Sequence, residues 1–277
     1  MELSILIVNY NVTRLLEKCL QSIEQFVTEV KYEVIVVDNN SPDCGWKDLV
    51  PQFPHVQFID SERNLGFARA NNLAAKSATG KFLLLLNPDT EFQSHFMREI
   101  LDFSSGQTDF GCLGVRLHNQ GGVFHPESKR SVPNLSNAFV RLFSPFSSRK
   151  YTRGYYRNDI PESAIEKVEV ITGAFLLTEA ETFAAVGGLD ARYFMYGEDI
   201  DFCYTLLCSQ KVNWYYGKAS ILHHKGESTV KDGQYYRNFY GAMKIFVEKY
   251  YKHKPFLSFL LKFGLMTRYF YAKNFSK

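Results

Sequence analysis

Acidic and imidazole side chains at a few places in the chain are the ones that could carry chemistry. Asp89 follows the apolar run at residues 83–86 and the turn Asn87-Pro88, so a buried strand would bring its carboxylate to the strand's carboxyl end. Mg²⁺ and Mn²⁺ prefer oxygen ligands, and at a diphosphate such an ion takes one or two protein carboxylates. Asp89 could equally cap a helix near residues 94–103, and the sequence leaves both roles open.

Glu198, Asp199 and Asp201 place three carboxylates at the start of a predicted helix. Acids there commonly complement the helix dipole, but a loop-to-helix junction also suits a general base that faces a cleft. His223-His224 ends a predicted strand. A terminal histidine is usually a hydrogen-bonded surface residue, whereas one beside two acid clusters can be a metal ligand. Because side chains alternate along a strand, only one of the pair can face the site.

A third polar group lies in the first 75 residues. Asp38 ends an apolar strand and precedes two asparagines, so it either initiates a turn or accepts hydrogen bonds from a ribose or base. The segment Arg63-Asn64-Leu65-Gly66 opens a helix that contains Asn71 and Asn72. Backbone N–H groups at a helix start, with an arginine beside them, form an anion site of a common kind.

The elements that must position these groups alternate between strand and helix. Strands are predicted at residues 3–8, 33–37, 56–59 and 81–86, with helices near residues 15–23 and 68–77. This order predicts a mostly parallel sheet covered by helices on both faces, in which ligands bind outside the carboxyl ends of the strands. Asn9, Asp38 and Asn87 all fall at such ends, so three polar clusters should converge on one rim.

The second half of the chain has a weaker pattern. Residues 106–166 are predicted to be loops, and we expect a mobile segment over the site because long structureless loops are usually functional or disordered. Regular structure resumes with an apolar run at residues 168–177, a helix from Glu198 and two strands at residues 212–216 and 219–223. Amphipathic helices then lie on either side of Pro255.

The 277 residues suffice for one large core, and their net charge of +3 is unevenly distributed. From Lys244 onward there are eight Lys and Arg residues and one acid, Glu248, so this aromatic-rich tail carries +7 and suggests an anionic neighbour. The five cysteines show no pairing pattern, and neither a signal peptide nor a membrane-spanning stretch is evident. We expect a cytoplasmic protein, free or peripheral on the inner face of the cell membrane.

Taken together, in this order and spacing, the segments resemble the family 2 glycosyltransferases of the GT-A fold. Within that family they look most like the rhamnosyltransferase-like enzymes of bacterial polysaccharide assembly. Each motif is weak alone, whereas the ordered set is specific and covers residues 3–230. The matching stretches are residues 4–11, 36–41, 64–72, 85–89, 173–174, 187–190, 197–201 and 223–228.

The resemblance implies an α/β chain of the GT-A fold, with a mostly parallel central sheet flanked by helices and a C-terminal helical extension. The catalytic domain would span residues 1–230, with a nucleotide-binding half at about 1–105 and an acceptor-binding, catalytic half at about 106–230. Residues 231–277 would form the basic, aromatic helical tail.

The family also implies roles for individual residues. Asp89 would hold Mg²⁺ or Mn²⁺ at the donor's diphosphate, with His223, preferred over His224, as the second protein ligand. Asp199 would act as the catalytic base, with Glu198 beside it. Asn87 departs from the family's frequent Asp-x-Asp motif, so we expect weaker metal binding. The nucleotide would be bound by Asn9, Tyr10, Asp38, Asn39, Arg63, Asn64, Gly66, Asn71 and Asn87.

The predicted function is that of an inverting glycosyltransferase. A rhamnose-like or other hexose would move from a nucleotide-diphosphate donor to the hydroxyl of a glycan or lipid-linked acceptor, in one metal-assisted displacement with Asp199 as base. The alternative is a catalytically inactive sugar-nucleotide-binding or scaffold protein of the same fold. A nicotinamide dehydrogenase and a sugar-nucleotide pyrophosphorylase both require a glycine-rich segment after the first strand, and residues 8–12 contain no glycine.

The tail leaves two interpretations open. Its aromatic side chains could pack onto the catalytic domain or onto a second subunit in a homodimer. In the other hypothesis the tail lies on an anionic membrane, where phenylalanines enter the interface and basic side chains face the lipid. The residues of this second hypothesis are Phe256, Phe259 and Phe263 with Lys249, Lys252, Lys254, Lys262 and Arg268. No nucleic-acid partner is expected.

Overall fold

The computed structural model describes residues 1–133, 152–224 and 233–275. Within these ranges nine strands form one sheet: β1 (Leu3–Asn9), β2 (Tyr32–Asp38), β3 (Val56–Asp60), β4 (Phe82–Leu86), β5 (Thr90–Phe92), β6 (Phe110–His118), β7 (Ile165–Val168), β8 (Phe175–Glu179) and β9 (Val212–His223). The sheet order is β3-β2-β1-β4-β8-β6-β9-β5, and β7 also pairs with β9. Residues 134–151 of the segment predicted to be loops, and motif residues 225–228, lie outside the described residues.

Helices flank this sheet and follow it. They are α1 (Thr13–Phe26), α2 (Phe67–Ala75), α3 (Met97–Ser105), α4 (Thr152–Tyr155), α5 (Ala180–Ala185), α6 (Glu198–Cys208), α7 (Gly233–Tyr250) and α8 (Pro255–Phe275). None of these helices combines the length and the apolar content that crossing a bilayer requires.

The sheet is mixed, and the strands of the first 86 residues pair with one another in parallel. β1 pairs in parallel with β2 and β4, and β2 pairs in parallel with β3. β8, β5 and β7 run antiparallel to the strands they pair with, whereas β6 and β9 run parallel to each other. The predicted α/β class, flanking helices and C-terminal helical extension are confirmed, and parallel pairing holds for half of the sheet.

Two hydrophobic cores lie on opposite faces of the sheet. Ile5 and Ile7 of β1 face the core that contains α1 and α3, whereas Leu6 and Val8 face the core that contains α2 and α6. A strand buried on both faces reads as a continuous apolar run, which is why β1 and β4 were recognisable in the sequence. Each fully buried aliphatic side chain contributes about 1.5–3 kcal/mol. Polar side chains are therefore displaced to the strand ends.

The prediction that residues 106–166 are loops is wrong for β6, a central strand. A Cβ at Gly111 would lie 2.6 Å from Asn213 Oδ1, and one at Gly114 would lie 2.9 Å from Ile171 Cβ. These close approaches explain the two glycines, which interrupt the apolar pattern and hid the strand. The two strands predicted at residues 212–216 and 219–223 form one strand, β9, whose register against β6 shifts after Val115.

Helix α7 is held on α6 by a buried carboxylate. Lys249 Nζ lies 2.7 Å from Asp201 Oδ2 and 3.0 Å from Asp190 Oδ2. Tyr250 donates its hydroxyl to Asp201 Oδ1 at 2.9 Å, and Asp201 is buried. The hypothesis that Lys249 faces lipid is therefore wrong, because its amine compensates the carboxylates of Asp190 and Asp201.

Replacement of Lys249 by methionine should destabilise the fold. The change leaves the buried Asp201 without its cation, and we expect a loss of about 2–4 kcal/mol in the free energy of unfolding. Denaturant unfolding measures this loss. Lys244→Met is the matched control, since Lys244 is exposed and its amine lies 3.8 Å from Glu248, and it should cost less than about 1 kcal/mol. Equal losses for the two variants would contradict the assignment.

Candidate active site

Asn9 and Asp38 lie side by side where β1 and β2 end. The two residues are partners in the parallel register, and Asn9 Nδ2 donates to Asp38 Oδ1 at 2.7 Å. Ser41 donates its hydroxyl to the same oxygen at 2.6 Å and its backbone N–H to Asp38 Oδ2 at 2.9 Å. Both oxygens of this buried carboxylate therefore accept hydrogen bonds within the protein, as expected of a turn-initiating aspartate. A contact with a nucleoside would come in addition to that role.

Asn39 connects this rim to the start of α2. Its amide donates to Asn64 Oδ1 at 2.9 Å, and its oxygen accepts from the backbone N–H of Leu65 at 2.7 Å. Asn64 Oδ1 also accepts from the N–H of Gly66 at 2.9 Å. Gly66 has φ +77°, and a Cβ there would collide with the Phe194 carbonyl, so glycine is required.

The other predicted nucleotide-binding residues divide into exposed and buried ones. Tyr10 and Arg63 are exposed, and a cleft beside Arg63 is also lined by Arg69, Arg192 and Phe194. Asn71, in contrast, is buried and its amide donates to the Phe67 carbonyl one turn earlier at 3.0 Å. Its side chain therefore stabilises the first turn of α2, whereas Tyr10 and Arg63 remain accessible to a ligand.

Asp89 and His223 meet where β5 pairs with the end of β9. Thr90 is the register partner of His223, and His223 Nε2 lies 3.3 Å from Asp89 Oδ1. His224 points elsewhere, with its Nε2 2.6 Å from Glu91 Oε1. Of the two histidines, His223 is thus the one beside Asp89, as the alternation along a strand requires.

The Asp89–His223 pair fits a divalent ion that is held by few protein ligands. Two ligand atoms that lie about 2.1 Å from one ion at right angles are about 3 Å apart, close to the observed distance. His223 Nδ1 is buried and has no hydrogen-bond partner within the described residues. The described ranges contain no group of three or more His, Cys, Asp or Glu side chains that could hold an ion. Further ligands would therefore come from water or from a bound diphosphate.

His125 is a residue of this site that sequence reasoning missed. Its ring packs edge-to-face on His223 with centroids 5.5 Å apart, and it is buried. It directly precedes the short 3₁₀ turn Pro126–Ser128 that follows β6. No periodic pattern marked this region, so the sequence carried no local signal for it.

Asp199 is held by a buried arginine at the start of α6. Arg130 Nη2 donates to Asp199 Oδ2 at 2.6 Å and to the Ile171 carbonyl at 2.8 Å. The N–H of Gly173 also donates to Asp199 Oδ2, at 3.2 Å. Arg130 was not singled out in the sequence, because it precedes α6 by many residues and lies in the stretch predicted as loop.

The backbone at residues 173–174 joins the two acid clusters. Gly173 donates to Asp199, and the carbonyl of Ala174 accepts from the N–H of Asn87 at 3.1 Å. Asn87 begins the turn that carries Asp89. Two clusters more than 100 residues apart in sequence are therefore placed on either side of one short backbone segment.

Glu198, the residue before Asp199, has a strongly perturbed pKa. It is buried, and burial, followed by the negative charge of Asp199, raises the pKa of Glu198 to about 8, with Arg130 acting in the opposite direction. At neutral pH its protonated form therefore predominates. Burial thus favours the neutral form of Glu198 next to Asp199.

Comparison with known proteins agrees with this architecture. The family model described as "Glycosyl transferase family 2" matches residues 4–166. An N-acetylglucosaminyl-diphospho-decaprenol L-rhamnosyltransferase of Mycobacterium tuberculosis is 28% identical over 241 residues, 83% of this chain and 78% of that protein. Rhamnosyltransferase WbbL of Escherichia coli K12 is 26% identical over 213 residues, 73% of this chain and 75% of that protein. The predicted resemblance to rhamnosyltransferases is thereby confirmed.

Solved structures share the fold at low sequence identity. S. aureus TarS 1-349 in complex with UDP-GlcNAc superposes with a TM-score of 0.59 at 17% identity, over 89% of this chain and 66% of that chain. GalNAc-T7 with UDP, GalNAc and Mn²⁺ gives a TM-score of 0.61 at 15% identity, over 80% of this chain and 44% of that chain. Since the family match covers more than half of the chain, this protein is a glycosyltransferase and belongs to glycosyl transferase family 2.

Proposed function

We propose that this protein is an inverting glycosyltransferase that moves a hexose, rhamnose-like or another, from a nucleotide-diphosphate donor to a saccharide hydroxyl. The observation that carries the proposal is the backbone segment at residues 173–174, which holds Asp199 beside the turn of Asn87 and Asp89. A base next to a diphosphate site is what a single in-line displacement requires. The acceptor oxygen bonds to the anomeric carbon as Asp199 takes its proton, and the bond from that carbon to the diphosphate breaks with inversion.

We assign the donor's nucleotide to the rim formed by β1, β2 and the start of α2. The network of Asn9, Asp38 and Asn39 makes this rim rigid, and the exposed ring of Tyr10 offers a surface on which a base can stack. Arg63 adds positive charge near the helix start. Residues 1–105 would then be the nucleotide-binding half, and residues 106–230 the acceptor-binding half.

Asp199 suits the role of base better than Glu198 does. A proton acceptor must be ionised, and the raised pKa of Glu198 keeps that residue mostly protonated at neutral pH. Asp199 instead forms a part-buried ion pair with Arg130. We assign Glu198 a supporting role, as a neutral group that limits the negative charge beside the base.

We further propose that Asp89 and His223 hold Mg²⁺ or Mn²⁺ at the donor's diphosphate. When bound there, such an ion would stabilise the charge that develops on the departing diphosphate. Asn87 contributes an amide where a second carboxylate would add charge, so Asp89 alone supplies negative charge from this turn. The presence of Mn²⁺ in the GalNAc-T7 structure of the same fold supports the choice of ion.

The acceptor is proposed from the relatives' names. The M. tuberculosis relative is named for an acceptor with a diphosphate-linked polyprenol. We propose a saccharide or lipid-linked saccharide acceptor here as well, and a protein that works peripherally at the inner face of the membrane. The alternative function, a catalytically inactive sugar-nucleotide-binding scaffold, predicts that nucleotide sugars raise the unfolding temperature while no transfer occurs.

Asp199→Asn should abolish most of the transfer activity. Loss of a general base lowers kcat by about 10²–10⁴-fold, while the KM for the donor should change little. Initial rates with a nucleotide sugar, a saccharide acceptor and Mn²⁺ measure both constants. Asp102→Asn, which removes an exposed carboxylate, is the control and should retain full activity. Unchanged transfer by folded Asp199→Asn would refute the assigned base.

Glu198→Gln should make stability less dependent on pH. In the folded protein the pKa of Glu198 is about 8, above its ordinary value of 4.5. The contribution of protonated Glu198 to the free energy of unfolding is therefore complete below pH 4.5 and is lost as the pH rises towards 8. The variant stays neutral, and at alkaline pH its unfolding temperature should exceed that of the wild type by at least about 2 °C. The exposed Glu62→Gln should follow the wild type. Parallel curves for wild type and Glu198→Gln would refute the raised pKa.

His223→Ala and Asp89→Asn should each weaken metal binding at least about tenfold. Mn²⁺ titration followed by electron paramagnetic resonance, with a panel of nucleoside diphosphates present, measures the affinity without relying on activity. His224→Ala is the matched control, since its ring faces Glu91, and should bind Mn²⁺ as the wild type does. The proposal fails if removal of His224 has a larger effect than removal of His223.

A further inference from the structure

Helix α8 presents an apolar surface to solvent. Phe256, Phe259, Phe263 and Met266 are 75%, 63%, 49% and 60% exposed. Their spacing of three, four and three residues places them on one side of the helix, over about 15 Å of its length. We call these four residues the apolar stripe.

The opposite side of α8 is already used for packing. Leu261 and Leu265 are buried with Val247 of α7, and Tyr240 and Leu257 pack partly buried against them. The apolar stripe is therefore a second apolar face of the same helix. Single exposed apolar residues are normal at a protein surface, whereas a contiguous row of them indicates an interaction site.

Basic side chains accompany the apolar stripe. Lys262 follows Phe259 by three residues and precedes Met266 by four, so it lies along the flank of the stripe. Lys252 and Lys254 are exposed immediately before the helix begins. Long lysine side chains can keep their amines in the polar layer while apolar neighbours are buried below them.

These charges decide between a second copy of this chain and a lipid surface. Residues 255–275 contain three Lys and Arg residues and no acid. Glu248, the acid in the preceding helix, already lies 3.8 Å from Lys244 and 4.0 Å from Lys262. In a pair of α8 helices, like charges would face each other across the contact and oppose it. An anionic lipid surface instead attracts each Lys or Arg, by roughly fivefold in affinity per charge.

We infer that α8 is a docking helix that lies in the interface of an anionic bilayer. The apolar stripe enters the boundary of the acyl chains, and Lys252, Lys254 and Lys262 meet the phosphate groups. This inference rests on the proposed peripheral function at the membrane. It adds which surface of the protein contacts the membrane, the apolar stripe of α8 with its lysines, and that the lipid is anionic.

Co-sedimentation of the full chain with vesicles tests the docking helix. We expect binding to vesicles of phosphatidylglycerol and phosphatidylcholine, and Phe259→Glu should weaken that binding at least about tenfold. Val50→Glu makes the same charge change at an exposed apolar residue of the catalytic domain and should bind as the wild type does. Lys252→Gln combined with Lys254→Gln should weaken binding to the anionic vesicles about tenfold or more, and should leave the weaker binding to pure phosphatidylcholine unchanged.

Three results would overturn the inference. The first is that the wild type does not bind vesicles, and the second is that the wild type and Phe259→Glu bind them equally. The third is that the wild type is a dimer in sedimentation velocity, that Phe259→Glu is a monomer, and that neither protein binds vesicles. Transfer to a water-soluble saccharide acceptor should be the same for all these variants. If the wild type bound vesicles, Phe259→Glu bound them at least about tenfold more weakly, and neither protein transferred sugar, the proposed enzymatic function would fail and the docking helix would stand.

Discussion

Strands β1 and β4 are buried on both faces, and this constraint decides where polar chemistry can be placed. An unpaired polar group inside such a strand costs about 1–3 kcal/mol. Ser4, a polar residue within β1, accordingly donates its hydroxyl to Glu33 at 2.6 Å. Asn9, Asp38 and Asn87 stand where their strands end, and β1 lies between β2 and β4. The burial that stabilises the sheet thus also assembles the rim on which a ligand can bind.

On the other side of residues 173–174, a part-buried ion pair between Arg130 and Asp199 orients the proposed base. The backbone of Arg130 exchanges two hydrogen bonds with that of Val170, at 2.8 and 2.9 Å. These bonds fix the backbone position from which the Arg130 side chain extends. Removal of two charges from water costs several kcal/mol per ion, so such a pair is a poor source of stability. Its presence is better explained by orientation, because a carboxylate held by both Arg130 and Gly173 has little freedom to rotate. An acceptor hydroxyl would then meet Asp199 in a single arrangement.

The sequence predicts those parts of the molecule that depend on neighbouring residues. The rim was predictable because a continuous apolar run followed by Asn, Pro or Asp is a local pattern, as in residues 83–89. Strand β6 was not predictable from local pattern. Its Gly111 and Gly114 are required by close contacts with Asn213 and Ile171, which come from distant parts of the chain. The roles of Arg130 and Lys249 were equally hidden, since each depends on an acid far away in sequence, Asp199 and Asp201 respectively. Long-range contacts, rather than weak propensities, limited the prediction.

The C-terminal helices are coupled to the proposed base through two contacts in series. Helix α8 packs on α7 through buried leucines, and Lys249 and Tyr250 at the end of α7 both bond to Asp201. Asp201 lies in the first turn of α6, two residues after Asp199. Because hydrogen bonds hold a helical turn rigid, a displacement of α7 would also move Asp199 against Arg130. A surface that anchors α8 would therefore restrain the helix that carries the proposed base, and the position of that base relative to a membrane-bound acceptor would follow from how the tail docks.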